Sequence, residues 1–219
     1  MRRLRPTGGA GCRYVEGPEQ RRLTRPGRRT RDRIVEAAAE LMFHRGVGGT
    51  SIPDIQAAAG VSASQIYHYF GDKRGLVLAV VDFQTDARLD QQRPLLDHLD
   101  SIEALRAWCE RAAERQEAAG CVGGCEIGSL AGELAETDPT ARTGLAASFD
   151  RWEAPIRSGL SRMQDRGELS ERADVAALAT ALLAAIQGGM LLAQVRRSST
   201  AYRHAVSAVI DHIESYVVR

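Results

Sequence analysis

Apolar positions recur at helical spacing along most of this chain and predict a series of α-helices. The first stripe, with i, i+3, i+4, i+7, i+8 spacing, consists of Ile34, Ala37, Ala38, Leu41 and Met42. Similar stripes return after the first third of the chain and continue to its end. No run of alternating β-branched residues is long enough for a sheet. The predicted fold class is therefore all-α.

Residues 50–76, TSIPDIQAAAGVSASQIYHYFGDKRGL, predict two short helices joined by a glycine turn. Ser51 can cap the first helix, and Gly60 can supply the conformation that ends it. Ser62 and Gln65 have the capping-box spacing that starts the second helix. One face of that helix is apolar, which leaves short polar and aromatic side chains free. This layout is typical of a helix-turn-helix, whose second helix enters the major groove of DNA.

The free side chains of the second helix are the candidate DNA contacts. Ser64 and Gln65 are expected at base edges. Tyr67, His68 and Lys73 are expected on phosphates, and hydroxyls or amides just before the first helix on the DNA backbone. The whole predicted set is Thr50, Ser51, Ser62, Ala63, Ser64, Gln65, Tyr67, His68, Tyr69 and Lys73.

This segment resembles the DNA-binding domain of the TetR (tetracycline repressor) family over about residues 30–80. The matching positions are Thr50, Ile55, Ala59, Gly60, Val61, Ser62, Tyr67, Phe70, Lys73 and Leu76. Gln56 and Tyr69 depart from the family pattern, and Tyr69 is expected to change which bases or phosphates are touched. The resemblance implies a regulator that binds a palindromic operator on double-stranded DNA as a homodimer. The regulator is expected to be either a repressor or an activator of transcription, and a repressor is preferred.

The second half resembles the LmrA/YxaF-like branch of that family. The matching positions are Gly124, Cys125, Gly128, Leu130, Ala131, Glu133, Leu134, Asp138, Pro139, Phe149 and Trp152. This resemblance implies release from DNA by a small, flat, apolar inducer held between the helices of the body. The candidate pocket residues are Trp108, Cys125, Phe149, Trp152, Ile156, Leu183, Gln187 and Met190. Apolar residues at helical spacing can equally be plain core, whereas the amide of Gln187 must find a hydrogen-bond partner.

The net charge of +1 hides an asymmetry between the two ends of the chain. Residues 1–75 carry 14 basic and 7 acidic side chains, and residues 76–219 carry 15 and 21. The excess of basic side chains in residues 1–75 favours contact with the phosphates of nucleic acid. We predict a disordered basic tail at 1–27, a helix-turn-helix domain at 28–75, and a helical ligand-binding and dimerisation domain at 76–219. The tail is either idle or an arginine arm that touches DNA.

Residues 175–195 contain no charged side chain, so a membrane span has to be weighed. Seven of these residues are Ala and two are Gln, which makes the run only mildly apolar. A helix that is apolar all round is also what a chain buries between its own core and a partner subunit. We therefore expect a homodimer formed by the last two helices, no membrane association and a cytoplasmic location.

Few other residues in the sequence indicate a chemical function. The cysteines at 12, 109, 121 and 125 are expected to be reduced, because no secretory signal precedes them. Cys121 and Cys125 are either a redox-sensing pair or small packing residues. No metal site, cofactor or catalytic motif is expected. The main class competing with a DNA-binding regulator is an enzyme, which the missing catalytic and nucleotide-binding motifs do not favour. The other rival is a helical module that binds another protein.

Overall fold

The computed structural model describes residues 23–218 of the chain. The head of the molecule is a three-helix unit. Its helices are α1 (Arg25–Arg45), α2 (Ile52–Ala59) and α3 (Ala63–Phe70). Each contributes a fully buried isoleucine to the common core: Ile34, Ile55 and Ile66. Gly60 ends α2 in the left-handed conformation (φ 62°), as the turn signal predicts.

The body consists of six further helices. They are α4 (Lys73–Leu96), α5 (Ile102–Ala118), α6 (Glu126–Leu134), α7 (Pro139–Asp165), α8 (Val175–Arg196) and α9 (Thr200–Glu214). Helix α4 packs against α1 and α3 of the head and against α6 and α7 of the body. It is therefore the element that the two parts share. The all-α prediction is confirmed for the described residues.

The start of the head differs from the predicted boundary at residue 28. Helix α1 begins at Arg25, because the Thr24 hydroxyl accepts from the Gly27 N–H and Pro26 lies in the first turn, where its missing N–H costs nothing. Three residues assigned to the tail are thus helical. The rest of the predicted disordered tail, residues 1–22, lies outside the described residues.

Two details of the body also depend on packing. Pro155 lies inside α7 without dividing it into two helices, because Trp152 and Ile156 beside it are held in the core. The last helix ends at Glu214, and Val217 instead forms an isolated antiparallel bridge with Leu169.

Helix α8 packs along α9 and against α7. A Cβ atom at Gly189 would lie 2.8 Å from the Cα atom of Tyr202, so this glycine permits the close approach of α8 and α9. By length and composition α8 could cross a membrane, with a mean hydropathy of 2.0 over an 18-residue window. One of its faces is buried in the body and the other is exposed.

Candidate functional site

The surface of α3 presents the side chains that the sequence predicts for DNA contact. Ile66 turns into the head core, which leaves Ser64, Gln65, Tyr67 and His68 exposed. Tyr67 is the largest of them, with 49% of its surface accessible. A short helix with a polar, exposed N-terminal half has the shape and chemistry that major-groove recognition requires.

Gln65 has two roles in this arrangement. Its Oε1 accepts from the Ser62 backbone N–H at 2.9 Å, while the Ser62 hydroxyl accepts from the Gln65 N–H at 3.3 Å. This reciprocal capping box uses the amide oxygen. The Nε2 group remains as a donor, so Gln65 is suited to base acceptors such as purine N7.

The burial of Thr50 contradicts its predicted hydroxyl contact with DNA, whereas Ser51 is exposed and its predicted contact stays a prediction. Thr50 is 1% exposed, and its hydroxyl donates to the Gly46 carbonyl at 2.8 Å. The Ser51 N–H donates to the Asp54 carboxylate at 2.9 Å, and the Ser51 hydroxyl donates to the same carboxylate. These hydrogen bonds lower the pKa of Asp54. Both residues use their donors to form the start of α2.

Lys73 is only partly available to a phosphate. Its Nζ donates to the Val47 carbonyl at 2.6 Å, which ties the first turn of α4 to the loop before α2. An ammonium group has three donors, so two remain for a phosphate. Lys73 therefore has a structural contact beside the predicted electrostatic one.

The first turn of α1 lies beside the end of α3, which the sequence did not indicate. A Cβ atom at Gly27 would lie 3.6 Å from the Tyr69 hydroxyl oxygen. Tyr69 is half-buried and covers this turn, so it is less exposed than predicted. Arg25, Arg28 and Arg29 are exposed on the same turn. Their positive charge adds to the basic surface around α3. In the sequence, only the helix boundary at Thr24 could have indicated that these arginines belong to α1.

Helix α6 of the body holds the head through one carboxylate. Glu133 accepts from the backbone N–H groups of Val47 at 2.8 Å and Gly48 at 2.6 Å. Next to this contact, Arg74 at the start of α4 pairs with Asp138, the N-cap of α7, at 2.6 Å. The Glu133 contact joins the head to α6, and the Arg74–Asp138 pair joins the first turn of α4 to the start of α7.

A cavity of about 510 Å³ lies between α1, α4, α5, α6 and α8. Its walls combine apolar, amide and charged side chains. They are Phe43, Gln84, Ala87, Arg88, Gln91, Ala112, Arg115, Gln116, Ala119, Val122, Gly124, Glu126 and Met190. Met190 alone of these was predicted as a pocket residue. Sequence periodicity could not have found Arg88, Arg115 or Glu126, because charged residues in helices usually face solvent.

Three other predicted pocket residues line a second cavity of about 440 Å³. Cys125, Phe149 and Gln187 lie there, between α6, α7 and α8. The Gln187 amide nitrogen is buried and donates to no acceptor in the described part of the chain. The exposed Leu191 is at the edge of this cavity.

The remaining four predicted pocket residues belong to the hydrophobic core. Trp108, Trp152 and Ile156 are at most 2% exposed, and Leu183 is buried with them. The indole N–H of Trp108 donates to the buried Gln92 side chain at 2.8 Å, so its polar group already has a partner. None of these four residues lines either of the two cavities described above, and the buried indole N–H of Trp152 donates to no acceptor in residues 23–218, so their pocket role stays a prediction.

Cys109, Cys121 and Cys125 are buried and carry free thiols. Burial raises the pKa of the Cys109 thiol to about 12 and also raises the pKa of Cys125. A raised pKa keeps a thiol protonated and unreactive. Cys125 serves as the N-cap of α6, where its sulfur accepts from the Gly128 N–H at 3.4 Å. Between residues 23 and 218, no group of three His, Cys, Asp or Glu side chains could hold a metal ion.

Comparison with known proteins finds two family models that match separate parts of the chain. Residues 34–80 match the family model described as bacterial regulatory proteins, tetR family. Residues 101–209 match the model described as tetracyclin repressor-like, C-terminal domain.

Individual relatives extend the similarity over most of the chain. A TetR transcriptional regulator from Chloroflexus aurantiacus J-10-FL is 31% identical, with a TM-score of 0.75, over 89% of this chain and 98% of that one. A TetR-family regulator from Cytophaga hutchinsonii shares the fold, with a TM-score of 0.79 at 20% identity over 90% and 98% of the two chains. The HTH-type transcriptional repressor DhaR of Mycobacterium sp. (strain GP1) is 26% identical over 77% of this chain and 84% of that protein.

Proposed function

This chain belongs to the TetR family of DNA-binding transcription regulators, and we propose that it is a repressor that a small molecule releases from a palindromic operator. The observation that carries this proposal is the course of α4. Its N-terminus at Lys73 follows the DNA-facing helix α3 directly. Three turns later, Gln84, Ala87 and Arg88 of the same helix form a wall of the larger cavity.

Contact with DNA is assigned to the exposed face of α3 and the basic groups around it. Gln65 and Ser64 read base edges, and Tyr67 and His68 contact phosphates or sugars. Lys73 and the arginines in the first turn of α1 add charge that is independent of base sequence. Thr50 and Ser51 support the start of α2, and no DNA contact is assigned to the buried Thr50 hydroxyl.

The protein acts as a homodimer through α8 and α9. On α8, exposed small or apolar residues recur at alternating spacings of four and three: Ala177, Ala181, Ala184, Gly188, Leu191 and Val195. Such a seam is what a partner helix packs against in a bundle. Leu191 and Val195 are 61% and 73% exposed in the single chain, which favours a covered position in the assembly.

Release from DNA follows from coupling between cavity and head. A molecule in the cavity touches α4 and also α6, whose Glu133 holds Val47 and Gly48 of the head. Moving either helix changes the separation of the two heads, which must fit half-sites about 34–36 Å apart. A mismatch of this kind removes the few kcal/mol that separate specific from non-specific binding.

The experiment is to sequence the genomic fragments that the purified protein retains and then to screen compounds for release of the recovered operator. A palindromic consensus and a releasing compound support the proposal. Ala112→Trp, which fills the cavity, is the matched variant: it should bind the operator as the unmodified protein does and ignore the compound. Release that is unaffected in this variant would place the effector elsewhere.

Activation of transcription is the alternative within the same fold, and a reporter gene behind the recovered operator separates it from repression. A redox-sensing role for Cys121 and Cys125 is not favoured, because both thiols are buried. Membership of the LmrA/YxaF-like branch, and with it a flat apolar inducer, stays a proposal.

A further inference from the structure

The larger cavity contains more positive than negative charge. Two guanidinium groups line it, those of Arg88 and Arg115, together with one carboxylate, that of Glu126. Arg88 donates to Glu126, and this pair is largely shielded from solvent, with 16% and 28% of the side chains exposed. This pair offsets one of the two positive charges, and the other, on Arg115, forms no direct ion pair within residues 23–218.

Arg115 is the unpaired charge. Its buried Nε–H donates to no acceptor between residues 23 and 218, and no carboxylate in that range forms an ion pair with it. Burial lowers the pKa of Arg115, and the nearby charge of Arg88 lowers it further. The Arg115 side chain is half-buried, and a buried donor without an acceptor costs free energy in the folded state. A site with this property gains free energy when an anion enters it.

A second unpaired polar group and the apolar walls of the cavity indicate the chemistry of the rest of the ligand. The Oε1 atom of Gln116 is buried and accepts from no donor in the described part of the chain. Phe43, Val122 and Met190 supply apolar surface on other sides of the cavity. The volume of about 510 Å³ is within the range of pockets that hold small molecules.

We propose that the effector of this protein is a small organic acid, with its carboxylate held by Arg115 and Arg88 and its apolar body against Phe43 and Met190. That this ligand acts as the effector rests on the proposed function, whereas its chemical class is inferred from the cavity alone. Guanidinium groups bind carboxylates through two parallel charge-assisted hydrogen bonds. The carboxylate competes with Glu126 for Arg88, so binding loosens the N-terminal end of α6, the helix whose other end holds the head through Glu133.

The test uses the full chain and four pairs of probes: acetate, butyrate, octanoate and benzoate, each against its amide. Binding is measured by calorimetry and by the shift in Tm, without DNA. At least one carboxylate should bind about tenfold more tightly than its amide, the factor expected for a charge-assisted contact. Arg115→Met, which keeps an apolar stem, should remove that preference. Arg111→Met on the same helix, whose guanidinium pairs with Glu114 outside the cavity, should retain it.

Each result has a separate meaning. No preference for any carboxylate over its amide, or the same preference in Arg115→Met, overturns the inference. Carboxylate binding that depends on Arg115 but leaves operator affinity unchanged supports the cavity chemistry and contradicts the role as effector. Release of the operator by compounds that bind Arg115→Met equally well leaves the proposed function in place and overturns the organic acid.

Discussion

The carboxylate of Glu133 in α6 accepts the backbone N–H of Val47 at 2.8 Å, so the body of this protein holds the turn between α1 and α2 of its DNA-binding head. The same carboxylate accepts from Gly48 at 2.6 Å. On the other side of the turn, Lys73 donates to the Val47 carbonyl. The orientation of the head on the body therefore depends on a few polar contacts to one loop, which a shift of α6 or α4 can alter.

Replacing Glu133 by Gln should loosen this turn. The change removes the charge and one of two acceptor oxygens, so we expect the free energy of unfolding to fall by about 1 kcal/mol. Hydrogen exchange at the Val47 and Gly48 amides should become faster. Glu136→Gln is the control, because Glu136 is exposed and makes no hydrogen bond in the described part of the chain. Unchanged exchange at both amides would contradict the contact.

Substitutions at Gln65 should separate capping from base reading. Gln65→Glu keeps an acceptor for the Ser62 N–H and should leave stability within about 0.5 kcal/mol, whereas Gln65→Ala should cost about 1 kcal/mol. Both remove the amide donor, so both should reduce the ratio of operator to non-specific affinity. Binding to the operator and to a scrambled duplex measures this ratio. Equal losses on the two duplexes would exclude base reading.

Lys73→Ala should weaken binding to every sequence and reduce the slope of log affinity against log salt by about one unit. Because the ammonium also holds Val47, some stability should be lost as well. Titrations at several salt concentrations measure the slope, and denaturant unfolding measures the stability. If stability falls while the slope stays the same, Lys73 has only its contact within the protein.

Leu191→Asp should convert the dimer to a monomer, because it places a charge in the exposed seam of α8. Light scattering after size-exclusion chromatography reports the mass directly. Leu95→Asp is the matched control: Leu95 is 36% exposed on α4 and lies far along the sequence from α8. A dimeric Leu191→Asp protein would show that the subunits meet through another surface.

Stability should fall at alkaline pH through the buried thiol of Cys109. Its pKa is raised to about 12 in the folded protein, against about 8.5 for an unfolded cysteine. The folded state thus keeps a proton that the unfolded state loses, so stability is complete below about pH 8.5 and declines as pH rises towards 12. Urea unfolding between pH 8 and 11 should show a shallower decline for Cys109→Ala. Parallel curves for the two proteins would contradict this assignment.

The helix-turn-helix could be predicted almost residue by residue from the sequence. Ser51, Gly60 and Ser62 occupy the caps expected of them, and Ile66 is the buried residue of α3. These features depend on neighbours within a few positions, where the backbone and its capping side chains determine the conformation locally.

The location of the larger cavity could not be predicted in this way, and only the tertiary structure decided it. Trp108 and Trp152 have the size and spacing of pocket residues, yet other helices cover them completely. Arg115 and Glu126 look like surface charges in the sequence, yet both line a cavity between five helices and are partly buried. Periodicity tells which face of a helix is apolar, but it carries no information about which distant helix meets that face or where a gap between them remains.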